Sequence, residues 1–513
     1  MEQGLREKVG QLFMVGFDAL QADEHIKTLI REKKVGGVIL FRRNVHTPAQ
    51  VSALCRELQE INAEVSDIPL LISIDQEGGM VMRIEQGVTP IPAAMAFQAA
   101  GSIEDCERMN QISGDEMRQV GINLLLAPVL DVNNNRNNPV IGVRAYGEDA
   151  ATVIDYGMAA MRGQRASGMA VTAKHFPGHG DTAIDTHYAM ALVPHDKERL
   201  RAVELAPFRA AIAGGVDAIM TAHVVFPAFE ADTSVPATLS KGVLTDLLRG
   251  EMQYQGVVIT DCLEMAAIAD GIGIPKGAIA TLQAGADIVL ISHREAQQTA
   301  AIDAVLAAVE RGDIALSRIE AACARVAELK RNRAVRDWRE RPVTPPALMQ
   351  PAAMALSQLL QKAALRVQGD YRALDASLPV TLLTVEVRSR SEIDEVALGR
   401  NKEARSSMLP ALLAAGLDVR EYALSAEALD EEVNEAIAFA QGAQQIVLQT
   451  YNAMFVDGQR RLVEALPQDK LWLVAGRLPY DLDLAPHAQG RLAAFGCRPA
   501  ALVPVVDKLA GKA

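Results

Sequence analysis

Residues 168–187 read Gly-Met-Ala-Val-Thr-Ala-Lys-His-Phe-Pro-Gly-His-Gly-Asp-Thr-Ala-Ile-Asp-Thr-His. The opening run, Met169–Ala173, predicts a buried strand. Lys174, His175, His179, Asp181, Asp185 and His187 follow at once, with the turn formers Pro177, Gly178 and Gly180 between them. Titratable groups crowded beyond a buried strand are costly unless they act, and loops positioned by rigid strands are where binding and catalysis concentrate. Asp185, two residues before His187, can orient the imidazole and support its charged form.

The same unit, an apolar run and then polar residues, recurs along the chain. Strands are predicted near Gly10–Gly16, Val35–Phe41, Leu70–Ile74, Ile122–Val129, Met169–Ala173, Ala218–Thr221, Val257–Thr260 and Ile288–Ile291. Segments of helical periodicity separate them, among them Pro48–Val65, Ile103–Val120, Ala150–Ser167, Glu198–Ala213 and Lys276–Ala284. This alternation predicts an α/β chain with a (β/α)8 barrel of the TIM type over residues 1–335. An open doubly wound sheet would normally carry a glycine fingerprint for phosphate after its first strand, and neither GxGxxG nor GxxxxGK[ST] is present.

The polar residues fall at one place in each unit. Asp75 follows the third strand, and Asp131–Asn138 with Arg144 follow the fourth. Lys174 and His175 close the fifth, His223 the sixth and Asp261 the seventh. All lie at carboxyl ends of strands, the barrel face that carries active sites.

Past a helix at Leu316–Arg331, residues 336–351 include Arg-Glu-Arg-Pro-Val-Thr-Pro-Pro (339–346) and predict a stiff linker. Residues 352–513 predict a smaller three-layer α/β sandwich with a largely parallel sheet. Its strands are expected at Val380–Val387, Gln445–Leu448 and Leu471–Ala475, and its helices at Ser407–Ala415, Ala426–Ala440 and Val456–Ala465.

The net charge is −13, with no Lys/Arg stripe, which argues against a nucleic-acid partner. No apolar run reaches the roughly 18 residues of a membrane span. The charged start, MEQGLREK, is not a signal peptide, so a cytoplasmic location is expected. Five scattered cysteines without a CxxC predict reduced thiols. No metal or cofactor is expected. Neither nucleic acid nor a membrane is an expected partner, and the chain is expected to be a monomer or homodimer.

Asp261 ends the apolar run Gly256–Thr260 and is either a helix N-cap or a reactive group. A carboxylate nucleophile with a separate proton donor on a neighbouring rim loop is the equipment of retaining glycoside hydrolysis. A histidine donor departs from the usual second carboxyl, yet it titrates in the useful range. His175 and His179 have ligand-like spacing, but Pro177 and Gly178 break the helix that would align them on a metal. No GxSxG of a serine hydrolase is present.

Lys174–His187, Ile74–Gly79 with Arg83, Gly142–Gly147, Ala222–His223 with Pro236–Ser240, and Ile259–Met265 together resemble glycoside hydrolase family 3, in its bacterial β-N-acetylglucosaminidase branch. The likeness spans most of residues 5–330. The second part is similar to the family's C-terminal sandwich, in runs such as Gly476–Asp481.

The resemblance implies a retaining enzyme that removes terminal β-linked GlcNAc through a covalent glycosyl-aspartate. Asp261 is the implied nucleophile, and His187 with Asp185 the implied acid/base pair. Lys174, His175, Asp75 and Arg144 are the implied sugar contacts, and His223 an implied pocket wall. Arg83 and Asn134 are further positions of interest. The implied substrates are muropeptide fragments or chitooligosaccharides. A phosphorylase using the same residues and a sugar-binding sensor are the alternatives.

Each implied residue also has a plain structural use. Arg144 could simply neutralise Asp131, Lys174 form a barrel salt bridge, Asp75 cap a turn and His223 serve as a hydrogen-bonded wall. One position departs from the family: Met80 stands where arginine is usual, which removes a donor near the expected pocket mouth.

Overall fold

The structure, a computed structural model, describes residues 2–183, 190–385 and 408–512. Its first part is built on eight parallel strands: β1 (Phe13–Val15), β2 (Gly37–Leu40), β3 (Leu71–Ile74), β4 (Leu124–Leu125), β5 (Ala170–Phe176), β6 (Ala218–Thr221), β7 (Val257–Ile259) and β8 (Val289–Ile291). They pair in the order β7-β6-β5-β4-β3-β2-β1-β8. A parallel bridge from Ile259 to Ile288 brings β7 back to the approach of β8, so the barrel is nearly closed.

All residues of these strands are buried. Side chains fill the interior on one face and helices cover the other, which is why the strands read as unbroken apolar runs. The covering helices start on polar caps: Thr47 accepts from Gln50 N–H, Ser102 from Asp105 N–H and Asp149 from Thr152 N–H.

Four elements depart most from the sequence reading. Gly10 ends a first helix, Glu2–Gly10, and leaves β1 only three residues. β4 keeps two of its eight expected residues, since Asn123 spends its amide on Leu70 and Ile72 and Pro128 has no N–H to give. The helix expected over Glu198–Ala213 is two, Lys197–Ala202 and Ala206–Ala213, parted before Pro207. β5 runs on past Ala173, so Lys174 and His175 stand on the strand. The ladder continues there because Lys174 N–H donates to Pro128 and its carbonyl accepts from Leu130.

The second part has a six-stranded sheet of β9 (Arg366–Gln368), β10 (Val380–Val385), β11 (Val419–Leu424), β12 (Gln445–Thr450), β13 (Leu471–Ala475) and β14 (Gly490–Ala493). Its order is β9-β14-β13-β12-β10-β11, parallel except where β9 meets β14. Apolar clusters lie on both faces. The connecting segment is fastened to the barrel: Arg341 donates to the carbonyls of Arg118 (3.0 Å) and Ala334 (2.8 Å). In the next helix, Pro351–Ala364, Leu356 and Leu360 belong to the barrel's own core. Among the described residues, no helix is long and apolar enough to cross a membrane.

Candidate active site

The carboxyl ends of the barrel strands enclose a cleft of about 630 Å³, part of it open to solvent. Asp75, Arg83, Arg144, Lys174, His175 and Asp261 line it, together with Glu77, His179, Cys262 and His293. Residues from five different strand ends therefore converge on one space. Asp185 and His187 lie outside the described residues.

Two carboxylates meet three cations on one wall. Lys174 Nζ donates to Asp75 Oδ1 at 2.6 Å and lies 2.7 Å from Glu77 Oε1. Arg144 grips Glu77 bidentately, and Arg83 Nη2 stands 3.5 Å from Asp75. Glu77 sits on a short hairpin, Gln76–Gly78 against Val81–Met82, that leads directly from Asp75. Burial disfavours its charge, but Arg144 and Lys174 outweigh burial and hold its carboxyl far below the usual range. Burial likewise opposes the Lys174 charge, and Asp75 and Glu77 overcome it, so the ammonium persists above its ordinary pKa. Arg144 is thus partnered by Glu77 and does not neutralise Asp131.

Asp131 serves the histidines. Fully buried, it accepts from the N–H groups of His175 (3.2 Å) and His179 (2.6 Å) and from His175 Nδ1 (2.7 Å). With Nδ1 bound to Asp131, the other ring nitrogen of His175 is the one left for the cleft. Burial despite its charge is offset by these two histidines, and the Asp131 carboxyl stays low. His179 bonds Thr182 Oγ1 through Nδ1, and burial pushes its imidazole down to about 4, so it is neutral at ordinary pH.

Asp261 lies two residues past β7, with one carboxylate oxygen accepting from Cys262 N–H at 2.7 Å. Behind it, His223 Nε2 donates to the Cys262 carbonyl (2.8 Å) and His223 Nδ1 meets Thr238 Oγ1 (2.8 Å). Thr238 also meets Thr221 Oγ1 at 2.8 Å. His223 is fully buried and is not among the residues facing the cleft. Asn134 likewise points elsewhere, donating to Glu204 at 3.1 Å.

Cys262, Glu264 and His293 hold donor atoms within 4.8 Å of one another. The acid among them is engaged elsewhere. The Glu264 carboxylate takes the N–H groups of Ser292, His293 and Arg294 ahead of the helix Glu295–Glu310, and burial pushes the Cys262 thiol up to about 12. His175 and His179 are likewise engaged by Asp131 and Thr182.

Met80, expected near the pocket mouth, instead packs against Val385, Ala426, Tyr451 and Cys497 of the second part. Its carbonyl accepts from Arg498 Nη2 at 2.8 Å. The sequence reading also assigned no role to Glu77 or Thr238, and gave Asp131 only that of a counter-charge to Arg144. The available signal was position: each stands inside or beside a run already singled out, two or three residues from a polar neighbour.

Residues 4–329 match the model of the glycosyl hydrolase family 3 N terminal domain. The chain is 37% identical over 327 residues to beta-hexosaminidase A of Pseudoalteromonas piscicida, a match covering 60% of this chain and 54% of that relative. It therefore spans about half the length of that relative. It is 37% identical over 290 residues to a beta-hexosaminidase of Stenotrophomonas maltophilia, covering 55% of this chain and 84% of the relative. Among solved structures it is similar to a glycoside hydrolase family 3 beta-N-acetylglucosaminidase from Paenibacillus sp. str. FPU-7. That likeness has a TM-score of 0.92 and 44% identity, over 99% of this chain and 97% of that one.

Proposed function

The chain belongs to glycosyl hydrolase family 3, and from that premise we propose that it is a retaining exo-acting β-N-acetylglucosaminidase. The observation that carries the reading is that Asp261 lines the same cleft as the Asp75–Lys174–Glu77–Arg144 network. A carboxylate positioned to attack and a wall of acceptors and donors fit a single terminal sugar. The names of the relatives support N-acetylglucosamine as that sugar and water as the acceptor in preference to phosphate.

In this mechanism an Asp261 oxygen forms a bond to the anomeric carbon as the glycosidic C–O bond breaks. The electron pair leaves with the aglycone oxygen, which takes a proton from His187. Asp185 orients the imidazole. His187 then removes a proton from water, the water oxygen bonds the anomeric carbon, and the glycosyl ester opens to restore Asp261 with net retention. Asp75, Lys174, Arg144 and His175 hold the sugar hydroxyls, and His223 backs the Asp261 loop.

Muropeptide fragments or chitooligosaccharides are the proposed substrates, met in the cytoplasm by a monomer or homodimer. The five unpaired cysteines, four of them buried, fit a reducing compartment. The test is turnover of an aryl β-GlcNAc by Asp261→Ala and His187→Ala. Each is expected to lose on the order of 10³-fold or more in kcat. Near-normal turnover by either one sinks the assignment.

A further inference from the structure

The segment that delivers Arg144 to the cleft is held from outside the barrel. Asn133, 1% exposed, fastens this segment at three points. Its backbone N–H donates to the Gly147 carbonyl (3.0 Å), its Oδ1 accepts from Gly142 N–H (3.0 Å), and its Nδ2 donates to the Tyr480 hydroxyl (3.0 Å). Gly142 opens the short turn Gly142–Arg144.

Tyr480 belongs to the turn Pro479–Leu484 that follows β13 in the second part. Its own O–H donates to the Glu148 carboxylate, so the hydroxyl joins both ends of the Asn133–Glu148 segment. The Arg136 guanidinium covers its ring at 4.3 Å and pairs with Asp483 at 2.6 Å. Leu478, two residues before Tyr480, rests on Gly142. A Cβ added there would come within 2.8 Å of Leu478 Cδ2, and the backbone has a φ of +48°. The turn bearing Arg144 is therefore shaped to receive the second part.

We propose that the second part belongs to the sugar-binding machinery, with Tyr480 a positioning residue that sets the Gly142–Arg144 turn through Asn133. The proposal rests on the reading that Arg144 holds the sugar. A bidentate grip on Glu77 fixes the guanidinium only if its backbone is fixed too, and Asn133 is the point where that backbone meets the second domain.

The test uses the full-length chain, with KM and kcat on 4-nitrophenyl β-GlcNAc and the inhibition constant of free GlcNAc. Tyr480→Phe keeps the ring under Arg136 and removes only the hydroxyl. It is expected to raise KM and the inhibition constant together by about 3–10-fold, the effect of one buried hydrogen bond, and to leave kcat within about two-fold. Asn133→Ala moves both in the same direction and further. The double variant is expected to be no worse than Asn133→Ala, since the two act in series.

Unchanged KM and inhibition constant in Tyr480→Phe, or effects that multiply in the double variant, overturn the proposal. Arg144→Ala separates the two levels. If it raises both constants while Tyr480→Phe does not, only the brace falls. If Arg144→Ala moves neither, the reading beneath it falls as well.

Discussion

The Arg144 guanidinium meets Glu77 through two parallel hydrogen bonds, Nε to Oε2 and Nη2 to Oε1, each 2.9 Å. The same carboxylate lies 2.7 Å from Lys174 Nζ. One buried acid thus sets two cations that face the cleft, and its effect on a ligand is exerted through them.

Glu77→Gln keeps the shape and removes the charge. KM on an aryl β-GlcNAc is expected to rise about 10–100-fold, the range for losing charge-assisted hydrogen bonds, with a smaller change in kcat. The pH profile gives a second readout. Lys174 is faced by Asp75, Glu77 and Arg144, and the two acids raise its pKa against burial. With Glu77 neutral, Lys174 loses its proton at lower pH, so the alkaline limb of free GlcNAc binding, read as its inhibition constant and separate from the His187 limb of kcat/KM, moves down. An unmoved limb and an unchanged KM argue against this role.

Thr238 connects β6 to the Asp261 loop through Thr221 and His223. Thr238→Val deletes the hydroxyl at nearly constant volume. It is expected to lower kcat by roughly 10-fold while KM changes little, because the loop that aims Asp261 loses its support. Thr238→Ser restores the hydroxyl and should restore most of kcat. Equal losses in the two variants point to packing instead.

Lys330 is 4% exposed, donates to Gln11 Oε1 at 2.7 Å, and is pushed down by burial from 10.5 to about 7. Between these values the unfolded chain holds a proton that the folded chain lacks, so this group's contribution to stability rises with pH across that window. Its cost is full below pH 7, on the order of a few kcal/mol. Lys330→Met is therefore expected to be more stable than the parent at pH 6–7, with the gap closing towards pH 10. Thermal melts of both proteins across that range check the sign.

Much of the barrel was legible because its strands are covered on both faces. Continuous apolar runs such as Leu71–Ile74 and Val257–Ile259 have no other stable place, and the polar residues that end them mark one rim. Boundaries were less legible. β5 extends through Lys174 and His175 because partners about 100 and 44 residues earlier, Asp75 and Asp131, meet their polar atoms. In the second sheet, β9, β11 and β14 escaped notice. The first two are partly exposed strands at the sheet edges, and β14 is only four residues long.

The sequence by itself determined which groups are available and that they gather at the strand ends, since local hydrophobicity decides where strands stop and polar side chains begin. Pairing was decided by tertiary structure alone. That Glu77 takes Arg144, that Asp131 takes His175 and His179, and that Met80 turns to the second part all depend on contacts between distant segments. Charges of either sign look alike in sequence until the fold sets their separation, and the energy of a buried pair depends on that separation and on the water excluded around it.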